Sequence, residues 1–343
     1  MILADKRIVI TGGTGSLGKT LTRRILSGEL GTPKKVIIFS RDEAKQHDIR
    51  ISYMSRSVVT DEVIYRNFMN ILEMRIGDVR NFADVCSVLK DADLVFNVAS
   101  MKQVPTCEYF PMQALQTNCI GAFNIARAIE ENNYPVETVV SISTDKACKP
   151  VSVMGMTKSI QERIFIAANI MIPQTRFICV RYGNVLASRG SVIPLFQDQI
   201  KNGGPVTITV PEMTRFLLSL DEAVDTIFAA VRHADPGDIY VPVAPSTTVL
   251  TLAQALIGNR QIDTVITGIR PGEKMHEIMV SEDEVNRCYK NGDYYIIRSM
   301  LPELRWENDM PGPRLQKEFS SADTVISFED TVGLLKKHNL LIP

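Results

Sequence analysis

A chain of 343 residues is long for one hydrophobic core, so it reads as one large domain carrying a smaller lobe, or as two domains. A hydrophobic fraction of 45% and a charged fraction of 22% are ordinary for a globular enzyme, and a net charge of −1 excludes bulk attraction to nucleic acid or an anionic membrane. Six scattered cysteines with no CxxC pair argue against zinc and disulfides, and neither a signal peptide nor a membrane-length apolar run is present, so a soluble cytoplasmic protein is expected.

The first expected strand, "RIVIT" (7–11), runs into "GGTGSLGKTLTRRIL" and a helix over 16–28. Gly12, Gly15 and Gly18 stand between the two, where glycines let the chain turn tightly and bring backbone amides to a pyrophosphate at the helix N-terminus. Thr14, Ser16 and Leu17 belong to the same cradle. The GxxGxxG spacing resembles the extended short-chain dehydrogenase/reductase superfamily. The second strand, "KVIIFS" (35–40), ends where an NAD enzyme carries an acid for the ribose hydroxyls. Ser40 and Arg41 stand there instead. A guanidinium accommodates a 2′-phosphate, which favours NADP, with Lys45 as a second cation, although Asp42 leaves NAD open. The interval 42–72 reads as a helix plus an irregular insertion.

Four more apolar runs follow: "EMRIG" (73–77), "LVFNV" (94–98), "TVVSIS" (138–143) and "RFICVRY" (176–182). Helical patterns at 81–90, 111–133 and 153–171 separate them. Strands apolar on both faces, alternating with helices, make a Rossmann-like α/β fold with a doubly wound parallel sheet. In the superfamily pattern "GDVR" sets Asp78 and Val79 against adenine, and "NVAS" brings Ala99 to the cofactor. Thr144, Asp145 and Lys146 close the fifth strand, at the carboxyl edge where such sheets hold their chemistry. Met154 and Lys158 lie four apart on the next helix and share a face. The superfamily usually has tyrosine where Met154 stands.

After Tyr182 the alternation weakens. Residues 1–183 are therefore expected to form the NADP-binding domain and 184–343 mainly a smaller, mixed substrate-binding lobe. The amphipathic helix 219–234, capped by Ser219 with acids in its first turn, is expected to pack back on the first domain. The stretch 287–319 reads as irregular. Its apolar Tyr294, Tyr295, Ile296, Ile297 and Trp306 need cover, from another subunit, by closing over the site, or from within the lobe itself. A last helix begins near "SFED" (327–330), which has capping-box spacing.

Four stretches, "STDKACKPVSVMGMTK", "RYGNVLASRGSVIPLF", "MTRFLLSLDEAVD" and "RPGEKMHEIMVSEDE", resemble the inverting UDP-N-acetylglucosamine 4,6-dehydratases of capsule, O-antigen and flagellin-glycan synthesis. The likeness runs from about residue 5 to residue 295 and is greatest to the capsular branch, which also carries methionine in place of the tyrosine. It implies a UDP-sugar substrate, UDP-N-acetylglucosamine or a close analogue, with NADP as cofactor, no metal and a homo-oligomer. It places Lys158, Lys102 and Tyr182 beside the cofactor. A clamp for the UDP-sugar would come from Lys102, Asn184, Arg189, Val192, Arg215, Arg270 and Glu273, the cations on the diphosphate and Glu273 on the uridine ribose. For Arg189 and Arg270 a solvated surface position is nearly as good a reading. His47 and His276 read as structural.

The implied reaction moves hydride from carbon 4 to NADP⁺, removes the carbon-5 proton with Lys146, expels the carbon-6 hydroxyl with help from Asp145, and returns hydride to carbon 6 with inversion at carbon 5. A lysine base needs a depressed pKa, expected here from partial burial and from Lys158 nearby. Met154 cannot exchange a proton, so the carbon-4 hydroxyl proton is assigned to Lys146, with Lys158 or an ordered water as alternatives. Two rival readings stay open. A UDP-sugar 4-epimerase would need a proton acceptor at position 154 but no Asp–Lys dyad, and a non-catalytic NADP-binding sensor would need neither.

Overall fold

The computed structural model describes residues 1–54, 62–186, 191–269, 272–304 and 311–342, with Glu62 through its backbone alone. Nine strands form the central sheet: β1 (Arg7–Thr11), β2 (Lys35–Ser40), β3 (Leu72–Ile76), β4 (Leu94–Asn97), β5 (Thr138–Thr144), β6 (Arg176–Tyr182), β7 (Ile239–Pro242), β8 (Cys288–Asn291) and β9 (Tyr294–Ile297). Their spatial order is β8-β9-β7-β6-β5-β4-β1-β2-β3, and β1 to β7 are parallel. This is the Rossmann-like α/β architecture read from the sequence. The continuous apolar runs of β1, β2, β4, β5 and β6 are buried along almost their whole length, as strands covered by helices on both faces must be. Because β1 pairs with both β2 and β4, the strand order reverses there, and the carboxyl ends of β1 and β4 open a crevice.

Three helices matter most for what that crevice holds. α1 (Ser16–Leu26) leaves the β1 turn, and α2 (Val153–Met171) follows β5. α3 (Leu220–His233) packs on α1, where Arg24 Nη2 meets Asp225 Oδ1 at 2.7 Å. α3 begins with a full capping box: Glu222 N–H donates to Ser219 Oγ (3.1 Å) and Ser219 N–H donates to Glu222 Oε2 (2.7 Å). The helical stretch 111–133 is not one helix. It is a short helix Pro111–Leu115, a π-helical turn Gln116–Ile120 and a helix Gly121–Asn132. The interval 42–72 holds two helices, Glu43–Met54 and Glu62–Ile71, and the expected insertion lies outside the described residues.

A second apolar core builds the lobe. Leu186, Ile193, Phe196, Val206, Leu252 and Leu335 belong to it, so the helices Val192–Lys201, Val249–Ile257 and Phe328–Lys337 share one interior.

The stretch 287–319 corrects its sequence reading. β8 and β9 form a hairpin whose β9 pairs antiparallel with β7, so the main sheet recruits strands well beyond residue 183. The turn is the two-residue Gly292–Asp293, with Gly292 at φ 58°, the left-handed conformation glycine adopts without strain. Ile296 and Ile297 are buried in the sheet. Tyr294 packs on Tyr240 and Tyr295 on Phe319, so the cover for these side chains comes from the same chain. Trp306 lies outside the described residues. The outer edge of β8 is closed in turn: Lys290 N–H donates to Pro313 O (2.9 Å) and Leu315 N–H to Cys288 O (3.1 Å).

Beneath the crevice, Arg181 of β6 is almost wholly buried. Its Nη2 lies 2.7 Å from Glu162 Oε2 on α2, and its Nη1 lies 2.8 Å from Glu284 Oε2 and 2.7 Å from the Met279 carbonyl. One guanidinium thus ties the sheet to α2 and to the segment 278–285. Removing one partner of a buried ion cluster leaves uncompensated charge, so Arg181→Met should lower the free energy of unfolding by about 3–5 kcal/mol. Urea unfolding monitored by circular dichroism measures this. Replacing Arg181, Glu162 and Glu284 together with apolar residues should cost less than the single change.

Candidate active site

A cavity of about 1360 Å³ lies along the carboxyl edge of the sheet, between the β1–α1 turn, the ends of β4, β5 and β6, and the lobe. It is larger than an ordinary drug-sized pocket of roughly 300–1,000 Å³. Gly12, Thr14, Gly15, Ser16 and Leu17 line one end. A Cβ on Gly12, at φ 64°, would stand 2.7 Å from the Ala99 backbone, so only glycine lets this turn lie against the end of β4. Gly18 does not line the cavity. It packs on the turn, where a Cβ would come within 2.5 Å of Gly13 Cα. The N-cap of α1 is Gly15, with no side-chain cap, so the first-turn amides stay available to an anion from the cavity. These residues fit a dinucleotide pyrophosphate.

Ser40, Arg41, Lys45, Asp78, Val79, Ala99, Lys102 and Tyr182 also line the cavity. Arg41 is more than half exposed and its Nη1 lies 3.7 Å from Asp78 Oδ2. Lys45 is paired with Asp42. Arg80 grips Asp78 Oδ2 from Nε at 2.9 Å and Nη2 at 2.6 Å. Burial would raise the Asp78 pKa, but Arg80 and Arg41 outweigh it and hold the carboxyl below its ordinary value.

At the centre, Thr144, Asp145 and Lys146 turn out of β5 beneath α2. Gly155 allows that contact, since a Cβ there would be 2.2 Å from the Lys146 carbonyl oxygen. Asp145 is completely buried; its Oδ1 accepts from Thr144 Oγ1 (2.8 Å) and from Lys146 Nζ (3.1 Å). Lys146 Nζ is also 3.1 Å from Glu277 Oε1, and Arg215 Nε approaches the same oxygen at 3.8 Å. Glu277 is a site residue that the sequence reading missed. Nothing in its local pattern, an acid ahead of the short strand Ile278–Val280, places it against Lys146.

The electrostatics correct a second expectation. Burial draws the Lys146 pKa down, but Asp145 and Glu277 outweigh it, so its proton is held more tightly than usual, not less. Burial pushes the Asp145 carboxyl up, with Glu277 adding to the push against the pull of Lys146. Burial acts the same way on Glu277, but Lys146 and Arg215 prevail and keep it low. On the cavity wall the depressed lysine is Lys158. Burial brings it from 10.5 to about 8, while its Nζ donates to the Ile142 carbonyl (2.5 Å) and to Gln161 Oε1 (2.8 Å). Met154, one helical turn earlier, is buried beside Cys107 and Ala114 and offers the cavity no exchangeable proton.

Asn184, Val192, Arg215 and Glu273 line the lobe side of the cavity, while Arg189 and Arg270 lie outside the described residues. Five buried side-chain atoms along its wall have no hydrogen-bond partner among the described residues: Thr117 Oγ1, Asp145 Oδ2, Asn184 Oδ1, Ser191 Oγ and Glu277 Oε2. Buried polar groups are nearly always bonded to protein, water or ligand, so this concentration sets the wall apart as a candidate binding surface. Thr117 and Ser191 were also missed. Thr117 sits in the π-helical turn, a feature that frequently occurs at functional sites and has no simple sequence signature.

Residues 8–299 match the family model described as polysaccharide biosynthesis protein. A protein of Rickettsia bellii named UDP-glucose 4-epimerase is 42% identical over 301 residues, covering 86% of this chain and 84% of that protein. The X-ray structure of Pen from Bacillus thuringiensis superposes with a TM-score of 0.87 at 32% identity, covering 99% of this chain and all of that one. A dTDP-glucose 4,6-dehydratase from Streptomyces venezuelae, with NAD bound, shares the fold at a TM-score of 0.65 and 18% identity, over 78% of this chain and 86% of that one.

The Lys158 site makes a prediction about stability and pH. Below about pH 8 both folded and unfolded chains bind the Lys158 proton; between about 8 and 10.5 only the unfolded chain does. The unfolded state therefore binds more protons in that window, and stability contributed by this site rises with pH through it. The unfolding free energy of the protein relative to Lys158→Met should increase by roughly 2–3 kcal/mol from about pH 7 to about pH 10. Urea titrations of both proteins across that range check the sign and the size.

Proposed function

Because the chain belongs to the family of polysaccharide biosynthesis proteins, we propose that it is an inverting 4,6-dehydratase of UDP-N-acetylglucosamine that works with NADP. Its product is a UDP-6-deoxy-4-keto-L-sugar destined for a surface polysaccharide. The observation that carries this reading is the line Asp145–Lys146–Glu277 on the cavity wall, with both carboxyls buried. A 4-epimerase takes hydride from carbon 4 and returns it there, and needs one group to exchange the carbon-4 hydroxyl proton. Loss of water needs two more groups, a base for a carbon-bound proton and an acid for the leaving hydroxyl.

Each residue then has one task. The β1–α1 cradle would hold NADP, with Arg41 at its 2′-phosphate, and the bound cofactor would supply the hydride chemistry at carbons 4 and 6. Lys158, with a pKa of about 8, takes the carbon-4 hydroxyl proton that Met154 cannot take. Lys146 removes the proton from carbon 5, which the adjacent ketone acidifies. Asp145, whose carboxyl burial pushes above the ordinary range, is the acid that gives a proton to the departing carbon-6 hydroxyl. Arg215 and Lys102 face the diphosphate, Asn184, Ser191 and Thr117 the sugar, and Glu273 the uridine ribose.

The name carried by the Rickettsia relative favours a second reading, a UDP-sugar 4-epimerase. Incubation with UDP-N-acetylglucosamine in deuterium oxide separates the two. The dehydratase yields a product lighter by one water, with a 4-ketone and one deuterium at an inverted carbon 5. The epimerase yields an isomer of unchanged composition. Lys146→Ala should abolish water loss, whereas Met154→Ala should leave substantial turnover. A Lys146→Ala protein with normal turnover would sink the assignment.

Cofactor choice is tested separately. Arg41→Ala should weaken NADP binding by roughly tenfold and leave NAD nearly unchanged, as loss of one charge-assisted contact to a phosphate predicts. Calorimetry of both cofactors at one salt concentration measures it, and equal weakening of the two removes Arg41 from the 2′-phosphate.

A further inference from the structure

We propose that Glu277 is the positioning residue that switches Lys146 into a base: it receives the Lys146 proton during turnover and passes it on towards Asp145 afterwards. The proposal rests on the dehydratase reading and deepens it. Lys146 Nζ stands 3.1 Å from a carboxyl oxygen on either side, and Glu277 keeps its second oxygen buried and without a partner among the described residues. The charges facing this pair are few. Asp145 comes from the turn after β5 and Arg215 from the strand Thr214–Phe216. Lys274 and His276 come from Glu277's own segment, but Lys274 Nζ is spent on the Cys148 carbonyl (2.6 Å) and His276 Nδ1 meets Thr214 Oγ1 (2.8 Å).

An ammonium cannot take a proton from carbon. Before Lys146 attacks carbon 5 its own proton has to leave, and the buried Glu277 carboxylate at 3.1 Å is the acceptor already in contact with it. On the dehydratase reading Asp145 is the acid for the leaving hydroxyl and cannot also take this proton. Glu277 is the ionised carboxylate within reach. The transfer Lys146–NH₃⁺ plus Glu277–COO⁻ to Lys146–NH₂ plus Glu277–COOH creates no net charge, which suits a site of low dielectric. Lys146 then accepts the carbon-5 proton and becomes an ammonium again, while Asp145 loses its proton to the departing water. Lys146 next donates to Asp145 and is reprotonated by Glu277, which restores these three groups. The proton that reaches carbon 5 as hydride returns to carbon 6 comes from solvent, and is matched by the carbon-4 hydroxyl proton that Lys158 releases to solvent. Arg215 gives substrate a means of control. A diphosphate that draws its guanidinium away from Glu277 makes that carboxylate a better proton acceptor at the moment substrate is in place.

A carboxylate that only braces Lys146 and one that takes its proton differ in how turnover follows pH. The holoenzyme with NADP is assayed on UDP-N-acetylglucosamine as wild type, Glu277→Gln and Glu277→Asp. Wild-type kcat should rise with Lys158 up to about pH 8 and stay flat above it, because the Lys146 proton moves internally. Glu277→Gln should lower kcat by about 100-fold near pH 8 with little change in KM. Its kcat should then keep climbing about tenfold per pH unit above pH 8, since Lys146 must now lose its proton to solvent. Glu277→Asp should restore the wild-type profile. In parallel, NMR of ¹³C-labelled lysine, with Lys146 assigned through Lys146→Arg, should show its midpoint falling by about one pH unit or more in Glu277→Gln. A loss of kcat equal at every pH, an unchanged kcat, or an unmoved Lys146 midpoint overturns the proposal. A wild-type protein that makes no 4-keto sugar overturns the dehydratase reading first, and is told apart from these by the wild-type assay alone.

Discussion

The buried guanidinium of Arg181 is the constraint on which the site depends. It sits in a parallel strand yet spends its donors on two carboxylates from elsewhere, Glu162 of α2 and Glu284 just past the strand that follows Glu277. Ser143 adds its hydroxyl to Glu162 at 2.5 Å, two residues before Asp145. The same cluster that fixes α2 against β5 therefore also fixes the 278–285 segment against the sheet. Glu277 reaches Lys146 because a charge that could not stay in the core alone was given partners from both sides.

That arrangement sorts the ionisable groups by environment rather than by type. Asp145 and Glu277 are both carboxyls within 3.1 Å of one ammonium, yet burial dominates the first and the two cations dominate the second. Lys158 is buried and Lys146 is partly buried. The one with two acidic neighbours keeps its proton, and the one whose Nζ contacts are a carbonyl and an amide oxygen gives it up more readily. One carboxyl pushed up, one carboxylate held low and two unequal lysines therefore line a single cavity, the kind of divergence that separates acid from base roles.

The sheet was legible in the sequence because parallel strands buried on both faces are written as unbroken apolar runs, and "RIVIT", "KVIIFS" and "TVVSIS" are of that kind. The glycine cradle was legible because its geometry is local: turn, close approach and helix start fall within seven residues. The hairpin of β8 and β9 was not recognised, since "CYKNGDYY" mixes charge with aromatics, although Gly-Asp between two such runs is itself a hairpin signal. Glu277, Thr117 and Ser191 were beyond reach for another reason. Each acquires its meaning from a neighbour distant in the chain or from one irregular turn. The same holds for Lys146, whose proton affinity depends on a carboxylate that only the fold brings to it.

The closed edge of β8 has a consequence for the life of the chain outside its chemistry. An outermost strand with free amides and carbonyls is a template on which another sheet can grow. Here residues 313–315 occupy that template, and Gly312 passes so close that a Cβ would lie 2.0 Å from the Lys290 carbonyl oxygen. This tail serves as a guard. A chain in which only residues 313–315 were prised from β8, with Phe319 and Leu335 still seated in their cores, would keep Glu277 on its cavity wall and still expose a row of hydrogen-bonding groups to its neighbours. Such a chain would be lost to association rather than to chemistry, and light scattering, not turnover, would register the difference.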